Sequence, residues 1–83
     1  MIWRKVGKMI SAEGTDITYQ AILHGERLNL YIESRKRHIP HANGIGTWDH
    51  TSYFVIQDNK ELVEKMSLRD AKEYAESLIN GAE

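Results

Sequence analysis

The sequence predicts an α+β fold in which a small antiparallel β-meander of four to five strands packs on one C-terminal α-helix. Three patterns predict it: a hairpin over residues 17–34, a run of β-branched and aromatic residues over 47–57, and helical periodicity over 68–80. A chain of 83 residues has the length of one domain, so we expect a single domain over residues 1–83.

The hairpin consists of the segments ITYQAILH (17–24) and RLNLYIES (27–34) on either side of Gly25-Glu26. A two-residue loop that begins with glycine suits a type II′ turn. The register that this turn implies gives the hairpin one apolar and one polar face, as a half-buried antiparallel pair requires. The predicted apolar pairs are Leu23/Leu28, Ala21/Leu30 and Tyr19/Ile32, and the polar face includes the pairs Gln20/Tyr31 and Asp16/Arg35.

The remaining elements follow from local signals. The second hairpin strand is expected to run over 27–39 and to end at Pro40, which has no amide hydrogen to pair. Further strands are predicted at 2–10 and 47–57, with another over 61–66 unless Asp58 caps a helical turn there. The helix is predicted over about 68–80, since Ser67 and Asp70 form an acidic variant of the capping box and Asn80-Gly81 supplies a stop.

Composition excludes several classes of function. The chain is 41% hydrophobic and 28% charged, with a net charge of −1 and no cysteine. Disulfides, thiolate metal ligands, iron–sulfur clusters and a thiol nucleophile are therefore excluded. A small secreted domain usually needs disulfides to be stable, so the cytoplasm is the expected location. The segment MIWRKVGKMI has no apolar run long enough for a signal peptide or a membrane span, and no membrane partner is expected.

Charge is distributed unevenly along the chain. Residues 1–41 carry seven Lys/Arg and four acidic residues, whereas residues 42–83 carry four Lys/Arg and eight acidic residues. Only the first half is therefore expected to be able to face a polyanion.

The segment HIPHANGIGTWDH (38–50) contains four side chains that could ligate a metal: His38, His41, Asp49 and His50. Pro40 opposes the regular helix that would bring His38 and His41 together, and adjacent strand residues such as Asp49 and His50 point to opposite faces. The spacing matches no common zinc pattern. The sequence therefore favours a loop that contacts a partner, with neither a metal nor another cofactor.

Acid–base catalysis is the enzymatic alternative. His38, His41 and His50 could exchange protons with a ribose hydroxyl and a leaving oxygen while Arg35 or Arg37 holds the phosphate, as in a metal-independent ribonuclease. Histidine titrates in the useful pH range without tuning. No nucleophile elbow, P-loop or dinucleotide-binding fingerprint is present in the sequence.

The polar sheet face is the main candidate for binding. Arginines beside an aromatic ring can contact phosphates and stack on bases. With its element order and a helix of the SLRDAKEYAESL type, the chain resembles the arm-type DNA-binding domains of tyrosine recombinases. The resemblance implies a sheet that contacts DNA. The side chains predicted to project from this face are Gln20, Arg27, Asn29, Tyr31, Arg35 and Arg37.

A protein partner is the other candidate. The chain has more large aromatic side chains than one helix covers easily, and a homodimer across the sheet would bury them. These side chains are Trp3, Trp48, Tyr53 and Tyr74. We therefore predict a non-enzymatic binding or regulatory module that acts through its polar sheet face and the 38–50 loop, with either a protein or a nucleic acid as partner. The predicted contact residues are Arg27, Tyr31, Arg35, Arg37, His38, His41, Trp48 and His50.

Overall fold

The computed structural model describes residues 1–40, 44 and 46–80, which form five strands followed by one helix. The strands pair in the order β1-β2-β3-β4-β5 as one antiparallel sheet, and α1 packs against β3, β4 and β5. The predicted α+β meander with a C-terminal helix is therefore confirmed. The elements are β1 (Ile2–Ser11), β2 (Gly14–Leu23), β3 (Glu26–Pro40), β4 (Thr47–Gln57), β5 (Lys60–Lys65) and α1 (Leu68–Asn80).

Most element boundaries match those expected from the sequence. β4 and α1 have the predicted bounds, and the ambiguous segment after residue 59 is a strand. β2 begins at Gly14 instead of residue 17, and β3 extends through Pro40, which lies opposite Thr47. Because β3 and β4 continue to these residues, most of the predicted 38–50 loop is paired strand. Between the two strands the structure describes only residues 44 and 46.

The β2–β3 register confirms the prediction over most of its length but not at the turn. Asp16 pairs with Arg35, and Gln20 pairs with Tyr31, as expected. The turn is His24-Gly25 rather than Gly25-Glu26, with φ angles of 52° and 79°. Two positive φ angles define a type I′ turn, which favours glycine at its second position, so the predicted type II′ turn is wrong. An irregularity between Gln20 and Ile22 shifts the final pairs by two residues, which leaves side chains on their predicted faces.

The core lies between the sheet and α1. Its fully buried side chains are Ala21, Leu30, Ile32 and Val55 from the sheet and Ala71 and Ala75 from the helix. The two helical alanines allow a close approach of the helix backbone to the sheet. Trp3, Tyr53 and Tyr74 are partly buried against this core, whereas the side chain of Trp48 remains 45% exposed. Packing at the core thus accounts for three of the four aromatics that had suggested a dimer.

The helix covers only part of the sheet. β3 has 15 residues and therefore extends about 50 Å, whereas the 13 residues of α1 extend about 20 Å. The molecule is correspondingly elongated, at 51 × 22 × 19 Å. We call the side of the sheet that packs on α1 the helix face and the other side the open face. Among residues 1–40, 44 and 46–80, no helix has the length and apolar character needed to cross a membrane.

Candidate functional site

The predicted contact residues do not form one site. Strand alternation and register place Arg27, Tyr31, Arg35, Arg37, Trp48 and His50 on the open face. Arg27 and Arg37 belong to the same strand and are about 33 Å apart along it, so no compact ligand could contact both. His38 alternates onto the helix face, and His41 lies outside the described residues.

Arg35 is held by two carboxylates and a ring. Its Nε donates to Glu33 in the same strand, and its Nη2 donates to Glu61 in β5. Its guanidinium carbon also lies 4.0 Å from the centroid of the Phe54 ring, within the range of a cation–π interaction. The hydrogen bonds that Arg35 donates to Glu33 and Glu61 raise its pKa, although partial burial opposes the shift. Its charge is thus compensated within the protein.

Arg37 is paired in a similar way with Asp16 on the neighbouring strand. The Nη1 and Nη2 atoms of Arg37 lie 2.5 and 3.3 Å from the two carboxylate oxygens of Asp16. This two-point contact fixes the guanidinium as well as compensating its charge. The hydrogen bond that Arg37 donates lowers the pKa of the Asp16 carboxyl and correspondingly raises the pKa of Arg37.

The other end of the open face carries Arg27 and Tyr31. The Nε2 of Gln20 donates to the Tyr31 hydroxyl at 3.1 Å and to the carbonyl oxygen of Leu28 at 3.0 Å. This arrangement fixes the Tyr31 ring against the sheet. Arg27 is exposed beside the β2–β3 turn. Arg27 forms no ion pair with the residues that the structure describes, so it and the Tyr31 hydroxyl provide a polar contact surface.

Trp48, His50 and Ser52 form a short ladder along β4 on the open face. The rings of Trp48 and His50 meet edge to face, with centroids 5.8 Å apart. The Nε2 of His50 lies 3.0 Å from the Ser52 hydroxyl oxygen. Trp48 is the large aromatic of this ladder that stays exposed, so it is the member best placed to touch a partner.

His38 forms a separate cluster on the helix face. Its Nδ1 lies 2.6 Å from Oδ1 of Asp49, and the Lys36 ammonium lies 3.3 Å from the other Asp49 oxygen. The hydrogen bond from His38 is the main cause of a lowered pKa for the Asp49 carboxyl, with a smaller contribution from Lys36. Asp49 thus serves as an acceptor for two side chains of β3.

The histidines in the described part of the chain are dispersed. His24 is in the β2–β3 turn, and His38 and His50 are on opposite faces of the sheet. A ribonuclease of the predicted kind requires two imidazoles around one phosphate. Because these three side chains do not converge, their geometry lends that hypothesis no support. Within residues 1–40, 44 and 46–80, no group of three or more His, Asp or Glu side chains is arranged to hold a metal ion.

The sheet edge formed by β1 is a feature that sequence reasoning did not select. Ile2, Met9 and Ile10 are 67%, 70% and 72% exposed. The register places Ile2 and Met9 on the open face and Ile10 on the helix face. The strand also carries Arg4, Lys5 and Lys8 without an acidic residue. A sequence signal was present, since IWRKVGKMIS has apolar residues on both faces and charges of a single sign.

Comparison of the chain with protein-family models, with curated proteins and with solved structures found no match.

Proposed function

We propose that this chain is a non-enzymatic binding module that takes up an extended segment of a partner protein along β1. The observation that carries the proposal is the exposure of large apolar side chains on both sides of this edge strand. An edge strand presents unpaired backbone N–H and C=O groups, to which another strand can add. A strand added beside β1 would gain backbone hydrogen bonds and would cover Ile2, Met9 and Ile10 together.

Charge compensation on the open face supports a protein rather than a nucleic acid as partner. Phosphate contacts need cationic side chains that can neutralise the phosphates and so displace the counterions of the nucleic acid. Arg35 is bound to Glu33 and Glu61, and Arg37 is bound to Asp16. Polyanion binding through these arginines would require their present ion pairs to break.

The charges of β1 favour an acidic partner segment over a second copy of this chain. Antiparallel pairing of two β1 strands would bring Arg4, Lys5 and Lys8 near the same cations of the other copy, and like charges on facing strands are destabilising. Glutamate or aspartate side chains in the added strand would instead form ion pairs with these cations. We therefore assign the partner segment as extended, with apolar and acidic residues in alternation.

The β1 irregularity limits how the partner would pair. The register of β1 against β2 shifts between Lys5 and Gly7. A local irregularity twists an edge strand and interrupts flat pairing, which protects it from indiscriminate association. Two short stretches, residues 2–5 and 7–11, are left for the added strand.

We further propose that this binding occurs in the cytoplasm, since small secreted domains usually need disulfides and the chain has no cysteine.

A peptide titration tests the proposal. The ¹⁵N-labelled full chain is mixed with a ten-residue peptide of alternating isoleucine and glutamate, with the same peptide carrying lysine for glutamate, and with a version containing a central proline. We expect amide shifts confined to β1 and its neighbour β2 with the acidic peptide, and much weaker shifts with the other two. Equal response to all three peptides, or shifts only at β5, would contradict the proposal.

A matched pair of variants sharpens the test. Met9→Glu removes an apolar contact of β1 and adds a like charge toward the acidic peptide, whereas Met66→Glu makes the same change after β5, at the other edge of the sheet. Met9 and Met66 are 70% and 65% exposed, so neither change should disturb the core. We expect Met9→Glu to weaken binding by about tenfold or more, the equivalent of about 1.4 kcal/mol, and Met66→Glu to leave it unchanged.

Two further experiments test the other two partners. Light scattering over a range of concentrations would reveal a homodimer, and protection of β1 amides in that dimer would replace the partner peptide with a second copy. Titration with DNA and RNA oligonucleotides at low salt covers the nucleic-acid prediction. Salt-sensitive binding that shifts amides near Arg27, Arg35 and Arg37 would overturn the protein-partner proposal.

A further inference from the structure

A hollow of about 360 Å³ opens on the part of the helix face that α1 leaves uncovered. Its volume falls within the range of small-molecule sites, about 300–1,000 Å³. Leu68, the first residue of α1, forms one end of it. Ser34 lies in the floor and is only 9% exposed. The hollow shares Lys8 with the β1 edge but otherwise consists of different residues, and it lies on the face opposite the open-face residues described above.

The sheet register explains how the hollow is built. Across neighbouring strands, Ile17 lies opposite Ser34, which lies opposite Tyr53. The small side chain of Ser34 is thus flanked by two larger ones, and this difference in size creates the depression. The next row outward, on the side away from α1, consists of Thr15, Lys36 and Thr51.

The lining is polarised along the strands. The end beside α1 is apolar and aromatic, with Ile17, Tyr19, Tyr53 and Leu68. The outer end has the hydroxyls of Thr15 and Thr51 and the ammonium of Lys36. Lys8 lies on the β1 side, opposite Ile17. A ligand that satisfied both ends would combine an apolar body with a polar head.

The charges of the lining residues favour a ligand whose polar group is negatively charged. The described residues that line the hollow include Lys8 and Lys36 and no acidic residue. Lys8 forms no ion pair with another residue that the structure describes, so its charge is available. Lys36 contacts Asp49 at 3.3 Å, and an ammonium has further donors to offer.

We propose that this hollow binds a small organic anion in which one carboxylate or phosphate group is attached to an apolar or planar body. The anionic group lies between Lys8 and Lys36, where the hydroxyls of Thr15 and Ser34 can donate to it. The body packs between Tyr19, Tyr53 and Leu68. The proposal does not depend on capture of a partner strand by β1.

Four probes test the chemistry. The labelled full chain is titrated with 1-naphthyl phosphate, 1-naphthylacetate, 1-naphthalenemethanol and inorganic phosphate, with amide shifts and calorimetry as readouts. The first two are expected to bind and to shift amides of Thr15, Ser34, Lys36 and Tyr53. We expect 1-naphthalenemethanol and inorganic phosphate to bind at least about tenfold more weakly, because each can contact only the apolar end or only the polar end of the hollow. The tighter of the two naphthyl anions identifies the preferred head group.

Three lysine variants locate the site. Lys8→Gln and Lys36→Gln each remove one cation from the hollow, and we expect each to weaken the better naphthyl anion by about tenfold. Lys60→Gln makes the same change at the start of β5 and should leave affinity unchanged. Because Lys36 lies on β3, its variant should not alter binding of the acidic peptide at β1. Equal binding of neutral and anionic naphthalenes, or an equal effect of all three variants, would overturn the proposal.

Discussion

The backbone of Gly14 lies directly against the carbonyl oxygen of Lys36. A Cβ atom at residue 14 would be 1.7 Å from that oxygen, a separation that no side-chain rearrangement can relieve because both positions belong to the backbone. The close approach occurs where β2 begins beside β3, opposite Arg37. It thus sets the start of the pairing that positions Asp16 against Arg37 and Thr15 beside the hollow.

Gly14→Ala is therefore expected to be strongly destabilising. We expect a loss of more than about 2 kcal/mol in the free energy of unfolding, because the strand pair must separate to admit the methyl group. Gly7→Ala is the control, since a Cβ there would lie 3.7 Å from the Cβ of Thr18, an ordinary contact. Urea denaturation measures both changes, and a similar stability for the two variants would contradict the prediction.

Arg35→Gln tests the ion pairs and ring contact of the open face. Loss of the guanidinium leaves Glu33 and Glu61 without their shared cation and removes the contact with Phe54. We expect the free energy of unfolding to fall by about 1 kcal/mol, since the Arg35 side chain is partly exposed and solvent screens part of the interaction. Arg69→Gln breaks a largely exposed helix pair with Glu73 and is expected to cost only about 0.3 kcal/mol. Chemical denaturation compares the two, and equal losses would argue against a special role for Arg35.

The Asp16–Arg37 pair predicts a component of acid sensitivity. Since Arg37 lowers the pKa of the Asp16 carboxyl below its ordinary 3.8, folding favours the ionised form. This stabilisation is present above the unfolded-state pKa and is lost as the pH falls through the lower folded-state pKa. The fall in unfolding free energy on acidification should therefore be shallower in Asp16→Asn than in the unmodified chain. Carboxyl ¹³C titration provides a direct check, and a pKa for Asp16 unchanged by Arg37→Gln would contradict the assignment.

The N-terminus of α1 depends on one hydroxyl. The Oγ of Ser67 accepts from the amide N–H of Asp70 at 3.1 Å, which satisfies a donor that the helix leaves free. Ser67→Ala is expected to lower the free energy of unfolding by about 1 kcal/mol. Ser77→Ala, later in the same helix, removes only a hydroxyl that bonds the carbonyl of Tyr74 and should have a much smaller effect. Thermal and urea unfolding measure the difference, and comparable losses would count against the cap.

Patterns of short range were sufficient for most of the fold. Alternation over residues 17–34 indicated which side chains face the core, and Ala21, Leu30 and Ile32 are indeed buried there. The capping residues and periodicity of 67–80 gave the helix its correct ends. These features could be predicted because each depends on neighbours within a strand, a turn or a helix. The β2–β3 turn was misplaced because His24-Gly25 and Gly25-Glu26 are both acceptable local turns, and strand pairing beyond the turn selects between them.

The candidate surfaces were harder to predict. Arg35 and Arg37 were correctly placed on the open face, but their partners Glu61 and Asp16 come from other strands, and an arginine in the sequence does not show whether its charge is compensated. The exposure of Met9 and Ile10 depends on the position of β1 at the sheet edge. The hollow depends on the length of α1 relative to β3, which leaves the row around Ser34 uncovered.

The sequence by itself determined the strands, the helix, the apolar and polar faces of the β2–β3 hairpin and the absence of thiol chemistry. Periodicity and composition carry this information, since backbone geometry fixes where successive side chains point. Only the tertiary structure decided which charges are paired, which edge is exposed and which part of the helix face stays open. These properties arise from contacts between residues distant in the chain, and it is the sheet order and register that bring such residues together.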